Sequence, residues 1–190
     1  FRSADWGYSS PACCLWFAID FDNYLYVYRE LYTQKVTADI FARQVLQQEY
    51  GEYIKYGVLD SSTWAKRGDV GPSIAETMIQ EGCQWRPSDR SPRSRINGKL
   101  EVHKRLYVDP DIQYPGMFVF SNCTNLIRTL PLLPTDKNNP EDVDTHAEDH
   151  AYDALRYACM SRPLHPRSLQ THWNRREENG FSPVDKTFGY

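Results

Sequence analysis

Three strand-like runs fill the first 33 residues with little between them: 1–6, then ACCLWFAI (12–19), then YLYVYRELY (24–32). The third is rich in aromatic and β-branched residues with partial alternation, the pattern of a half-buried strand. Asp22-Asn23 supplies turn chemistry between the last two. Strands adjacent in sequence favour an antiparallel meander, so the chain is expected to open with one.

The pattern then changes. Thr37 is a candidate N-cap, and Ala38, Phe41, Ala42, Val45 and Leu46 follow at helical spacing up to Gly51. KYGVLDSS (55–62) reads as a short strand ending in Asp60. Pro72 and Ser73 open a second helix running to about Gly82, followed by a strand near 83–86, a helix within 95–108 and a short apolar strand at 117–120. Residues 123–133 look helical until Pro131 and Pro134 stop them. The clearest helix spans 148–160, with Ala151, Ala154, Leu155 and Ala158 as its buried stripe. This order predicts an α/β fold: a mixed sheet in which an antiparallel meander gains parallel strands at one edge, with helices on both faces. Residues 1–162 form the expected domain, and 163–190 read as a polar, loosely ordered tail.

Composition narrows what such a domain can do. A chain of 190 residues, 41% hydrophobic, can bury one sizeable core. Its net charge of -3 means that any contact with nucleic acid must come from a local patch. Cysteines at 13, 14, 83, 123 and 159 form an odd set without a CxxC pair, which argues against a disulfide framework and a structural zinc site and fits a reducing, cytosolic setting. No apolar run approaches 18 residues, so no membrane association is expected. Asn122-Cys123-Thr124 matches a glycosylation acceptor only formally, since no signal peptide precedes it. The absence of an initiator methionine suggests an excised domain.

HAEDHAYDALRYAC (146–159) packs three acids and two histidines into its first eight residues. Asp149 and Asp153, at i and i+4, would share one helix face and repel by a few tenths of a kcal/mol. Either the positive end of the helix or a divalent cation with oxygen ligands could offset that repulsion. In open sheets with βα connections, sites form at the carboxyl ends of strands. Asp5 ends the first strand and Asp60 the fourth, so neighbouring placement would bring their carboxylates together, and the last helix could add Asp149 and Asp153. Singly, Asp5 also suits a turn and Asp60 an Asx-turn or cap. Several carboxylates gathered in one place cannot all stay ionised without a cation.

ADWGYSSPA (4–12), VLDSS (58–62) and EDHAYDALRYA (148–158) resemble the three acidic motifs of the nuclease domain of large terminase subunits, the DNA-packaging motors of tailed bacteriophages. NLIRTLPLLPTDKNNPEDVDT (125–145) resembles that family's approach to its third motif. The resemblance covers roughly residues 1–162. It implies a ribonuclease-H-like fold and a metal-dependent endonuclease that cuts concatemeric double-stranded viral DNA during genome packaging, in the cytoplasm of the infected bacterial host. It also implies two divalent cations, Mg²⁺ or Mn²⁺, and in the full-length protein an ATPase domain, a portal protein and a small terminase subunit as partners. Matched motif by motif, Asp5 and Asp60 take the first two catalytic and metal-binding positions. Asp149 takes the third, with Asp153 as a further metal ligand and Glu148 and His150 in support. Cleavage with two ions roughly 3.5 to 4 Å apart calls for hard oxygen ligands, which carboxylates supply. No GxxxxGK[ST] occurs, because Asn97-Gly98-Lys99 lacks the first glycine and the following Ser or Thr. The chain is therefore expected to be the C-terminal half of such a protein, without ATPase activity.

Seven basic residues lie between Arg86 and Arg105, against Asp89 and Glu101. Of these, Arg90, Arg93, Arg95, Lys99, Lys104 and Arg105 are the candidate DNA contacts, with a loop expected over 88–98. No base-reading motif accompanies them, so weakly sequence-specific cutting is expected. His146 and His150 imitate HExxH, but the glutamate falls one position late for a zinc protease. His103 reads as a surface residue. Two other readings stand beside the leading one: a resolvase, transposase or exonuclease of the same superfamily, and a DNA- or portal-binding module with structural acids.

Overall fold

The computed structural model describes residues 1–66, 71–108, 110, 114–137 and 139–164. β1 (Arg2–Asp5), β2 (Ala12–Ile19) and β3 (Leu25–Thr33) form the expected antiparallel meander. At the β2–β3 turn, Asp20 Oδ1 accepts from the backbone N–H groups of Asp22 and Tyr24, and Asn23 takes the left-handed conformation that asparagine tolerates. β2 is apolar throughout because both its faces are covered. Cys13, Leu15 and Phe17 enter one core, and Ala12, Cys14 and Trp16 enter the other.

β4 (Gly57–Leu59) lies parallel to β1, and β5 (Arg86–Pro87) parallel to β4. β6 (Met117–Val119) pairs in parallel with β3, giving the order β5-β4-β1-β2-β3-β6. The parallel strands thus join both edges of the meander, where the sequence predicted one. The outer edge of β3 would otherwise leave backbone groups unpaired beside a buried core, and β6 covers the stretch holding Leu25 and Val27.

α1 (Ala38–Gln48) and α2 (Ile74–Gln80) cover one face, where Phe41, Val45 and Met78 meet Trp16 and Leu59. Complete removal of side chains of this size from water stabilises a fold by about 1.5–3 kcal/mol each. Ser73 starts α2 with a capping box: its Oγ accepts from Glu76 N–H at 3.2 Å, and its own N–H donates to Glu76 Oε2 at 2.7 Å.

α3 (Ser94–Leu106), α4 (Thr124–Thr129) and α5 (His150–Ser161) cover the other face. α3 begins inside the stretch expected to be a loop, after Arg93 turns the chain through a left-handed conformation. α4 passes into a 3-10 turn at Leu130–Leu132, where Pro131 falls. α5 starts at His150, two residues later than its periodicity predicted, because Glu148 is drawn away by Arg128 and Tyr32. Its alanine stripe lies on the sheet as expected, yet residues 151–159 are buried all round, including Asp153 and Arg156. Leu164 is also buried, and its N–H donates to Glu101 Oε2 at 3.2 Å. The rest of the expected tail, 165–190, lies outside the described residues.

Candidate active site

Ala4 of β1 stands opposite Leu59 of β4, and the pairing runs one step further as Asp60 N–H donates to Ala4 O at 3.2 Å. Asp5 and Asp60 therefore end neighbouring parallel strands side by side, about 4.8 Å apart at the backbone. Ala4 and Leu59 belong to the α1–α2 core, so strand alternation turns the next residue of each towards the α5 layer. Asp60 also fulfils its expected turn role: it accepts from Ser62 N–H at 3.3 Å and from the Ser62 hydroxyl.

α5 lays His150, Asp153 and Tyr157 over this pair. His150 Nδ1 lies 3.0 Å from Asp5 Oδ2. Burial pushes the Asp5 carboxyl up, the His150 hydrogen bond opposes this, and the charges of Asp153 and Asp60 add to the rise. The hydrogen bond to Asp5 raises His150 despite burial, and Asp149 and Asp153 act in the same direction. The Tyr157 hydroxyl is raised by burial and then by the charges of Asp153, Asp5 and Asp60. Of the acids on α5, Asp153 bears most strongly on Asp5. Asp149, the position matched to the third motif, precedes the helix. Its carboxyl makes no capping hydrogen bond, and burial followed by the Asp153 charge pushes it up to about 6. Asp149 and Asp153 thus both stand at the positive end of α5, Asp149 as its N-cap residue without a capping hydrogen bond and Asp153 in its first turn.

Three of the acids around the site carry arginine partners. Arg128 grips both oxygens of Glu148 at 2.6 and 2.8 Å, and Tyr32 Oη donates to it at 2.6 Å, holding its carboxyl down to about 2. Asp153 lies between Arg95 Nη1 at 3.3 Å and Arg156 Nε at 3.0 Å, while Arg95 Nε binds Asp142 Oδ2 at 2.8 Å. Among the described residues, no three His, Cys, Asp or Glu side chains come close enough together to hold an ion. Arginines neutralise Asp153 and histidine engages Asp5 in this arrangement.

The predicted basic contacts divide along α3. Arg90 and Arg93 are exposed near its start, where Arg93 reaches Glu141 at 3.4 Å. Lys99 Nζ donates to the carbonyls of Pro140 and Asp142. Lys104 pairs with Glu101, and Arg105 lies about 15 Å beyond Arg95 along the helix. Arg105 is fully buried and donates to the carbonyls of Asn23, Gly116 and Arg162, so its guanidinium is out of reach of a phosphate. His146 and His103 are exposed. Sequence reasoning overlooked Arg156, Tyr157 and Asp142. The i, i+3 spacing of Asp153 and Arg156 offered a signal; Asp142, in a run that reads as solvated loop, offered none.

No family model matches this sequence, and no curated protein matches it either. Solved structures do. The nuclease domain of the large terminase of bacteriophage SPP1, solved with bound manganese, is 22% identical, with 83% of this chain and 82% of that one covered at a TM-score of 0.60. The P22 large terminase nuclease domain is 17% identical, covering 85% and 79%, at 0.63. The large terminase of a thermophilic bacteriophage, in complex with ATP-γ-S, is 14% identical at 0.65, and there the match takes in 83% of this chain but only 38% of the other. The chain therefore has the ribonuclease-H-like α/β fold of bacteriophage large terminase nuclease domains.

Proposed function

We propose that this chain is a divalent-metal-dependent DNA endonuclease domain that cuts concatemeric viral DNA during genome packaging. The observation that carries this reading is the side-by-side ending of Asp5 and Asp60 on parallel strands, with His150 and Asp153 of α5 above them. The likeness in fold to terminase nuclease domains, one holding manganese, supports it.

The donor set suits Mg²⁺ or Mn²⁺ because it consists of carboxylates, and burial together with neighbouring acids raises Asp5 and Asp149, a cost that a bound cation would relieve. Asp5, Asp60 and Asp153 do not close on a single point in this arrangement, so holding the ions would require Asp153 to turn from its arginines towards Asp5 and Asp60, with Asp149 beside them. Bound divalent ions supply a hydroxide nucleophile near neutral pH and stabilise the leaving oxygen. His150 fixes the orientation of Asp5, and Arg95 and Arg156 hold Asp153 in place. Arg90, Arg93 and Arg95 form the positive side on which double-stranded DNA would lie. On this reading the domain works in the cytoplasm of an infected bacterium, joined to an ATPase domain and serving with a portal protein and a small terminase subunit.

Incubation with supercoiled plasmid and Mn²⁺ or Mg²⁺ tests the reading, with EDTA and Asp60→Ala as controls. Metal-dependent nicking that the substitution removes is expected. The arginine clamp on Asp153 favours the second reading, a DNA-binding module with structural acids; DNA retained in EDTA without cutting under any ion would select it.

A further inference from the structure

We propose that a cavity of about 260 Å³ beside Asp60 seats a DNA backbone phosphate adjacent to the one that is cut. This rests on the nuclease reading above and adds to it a subsite for a neighbouring phosphodiester. The cavity lies between the end of β4, the loop from β5 to α3, the start of α3 and the middle of α5. Its walls include Asp60, Ser88, Arg90, Ser94, Arg95 and Arg156.

Three features select an anion of this size. First, Arg95 has Nε on Asp142 and Nη1 on Asp153, but its Nη2 is buried without a hydrogen-bond partner. An unmet charged donor is costly, and because Nη2 is closed off here, a phosphate oxygen would reach it once the guanidinium turns towards the cavity, where its fork suits that acceptor. Second, α3, 13 residues long, begins here with no side-chain cap, so its positive end opens beside the arginines. Third, the volume falls below the roughly 300–1,000 Å³ of sites for organic ligands and suits a compact group. Arg95 and Arg156 are already paired with Asp142 and Asp153, so the positive charge the lining offers an incoming anion is chiefly that of exposed Arg90, while Asp89 is turned to Ser91 N–H and Oγ. Since Asp60 also ends β4 next to Asp5, a phosphate in the cavity would fix the strand's register over the carboxylates.

The test is fluorescence anisotropy of a short DNA duplex in EDTA across a salt series. It compares the full chain with Arg90→Ala, Arg95→Lys and Arg43→Ala, the last removing an exposed charge on α1 across the sheet. EDTA makes the result independent of cutting. Arg90→Ala should bind roughly tenfold more weakly and lower the salt slope by about 0.9, the value of one phosphate contact. Arg95→Lys should weaken binding at an unchanged slope, because the charge remains and the fork is lost. Arg43→Ala should change neither, and inorganic phosphate should compete with the duplex on the parent chain. Circular dichroism and thermal melting exclude loss of fold; Arg90, being exposed, tests the proposal even if Arg95→Lys fails to fold. Equal affinity and slope in parent, Arg90→Ala and Arg43→Ala would overturn the proposal, as would inorganic phosphate that binds without displacing DNA. Plasmid nicking with Mn²⁺ by the same proteins separates the two ideas. A parent chain that binds through the cavity but never nicks removes the nuclease reading alone. One that nicks while Arg90→Ala binds and cuts unchanged removes the subsite alone.

Discussion

His150 Nδ1 stands 3.0 Å from Asp5 Oδ2, joining the first residue of α5 to the last residue of β1. A hydrogen-bonded partner of this kind sets the orientation of a carboxylate ligand, and its loss commonly costs 10- to 100-fold in metal affinity or activity. His150→Ala is therefore expected to slow Mn²⁺-dependent nicking by about that factor while the melting temperature shifts little. Nicking at the parent rate would remove His150 from the site.

The charge of Asp153 bears on both Asp5 and Tyr157 more than that of any other acid, although the motif match favours Asp149. Asp153→Asn is accordingly expected to abolish nicking, and Asp149→Asn to reduce it only partly. Single-turnover rates on a defined duplex would decide; the reverse ranking would return the third position to Asp149.

Without metal, the fold should weaken as pH rises. Between about pH 4 and 6 an unfolded chain has lost the Asp149 proton while the folded one, with this carboxyl at about 6, still holds it. Stability falls across that window and stays lower above it, by roughly 3 kcal/mol for a displacement of this size. Asp5, also raised, acts in the same direction. His150, raised as a base, contributes stability that is complete below its unfolded value and disappears as pH climbs through its folded one. Mn²⁺ should therefore raise the melting temperature clearly at pH 7.5 and hardly at pH 4.5, where protons occupy the same oxygens. Equal shifts at the two pH values would contradict this.

A Cβ added at Gly98 would sit 2.5 Å from Arg156 Cγ and 2.9 Å from its Cδ. Arg156 is buried and tied to Asp153, so it cannot easily retreat. Alanine in a helix interior normally gains up to about 1 kcal/mol over glycine. Here overpacking, typically 1–3 kcal/mol, should prevail. Urea denaturation is expected to give a lower midpoint for Gly98→Ala; a higher one would mean that α3 and α5 can separate without cost.

Glu49, at the end of α1, accepts from Arg2 Nη1 at 2.7 and 2.8 Å and from Trp16 Nε1 at 2.7 Å, all three side chains being buried. Glu49→Ala would strand the Arg2 guanidinium and is expected to cost about 3–5 kcal/mol by chemical denaturation. Replacing both partners together, Arg2→Met with Glu49→Leu, should cost clearly less.

The amino-acid order alone placed most of the backbone. The apolar ACCLWFAI run, the alanine stripe of α5 and the Pro72-Ser73 start of α2 are local patterns, and each produced the expected element. It also put Asp5 and Asp60 at strand ends, since the acid follows directly on the last apolar residue of each run. Boundaries and partners were less legible. Arg93, Arg95 and Arg105 look alike in a list of basic residues, yet one is exposed, one bridges two aspartates and one is sealed under carbonyl groups. Asp142 sits in an acidic run that reads as solvent-exposed, and it is buried.

Periodicity determines which face of an element a side chain occupies, because it follows from 3.6 residues per helical turn and two per strand repeat. It carries no information about what lies opposite. That Asp5 meets Asp60 depended on β4 pairing with β1, and that Asp153 meets Arg95 depended on α3 crossing α5 at Gly98, where a larger residue would not fit. Contacts between residues 47 to 145 positions apart exist only once the sheet order and helix packing are set, so the carboxylates were nameable from sequence and their company was settled by the fold.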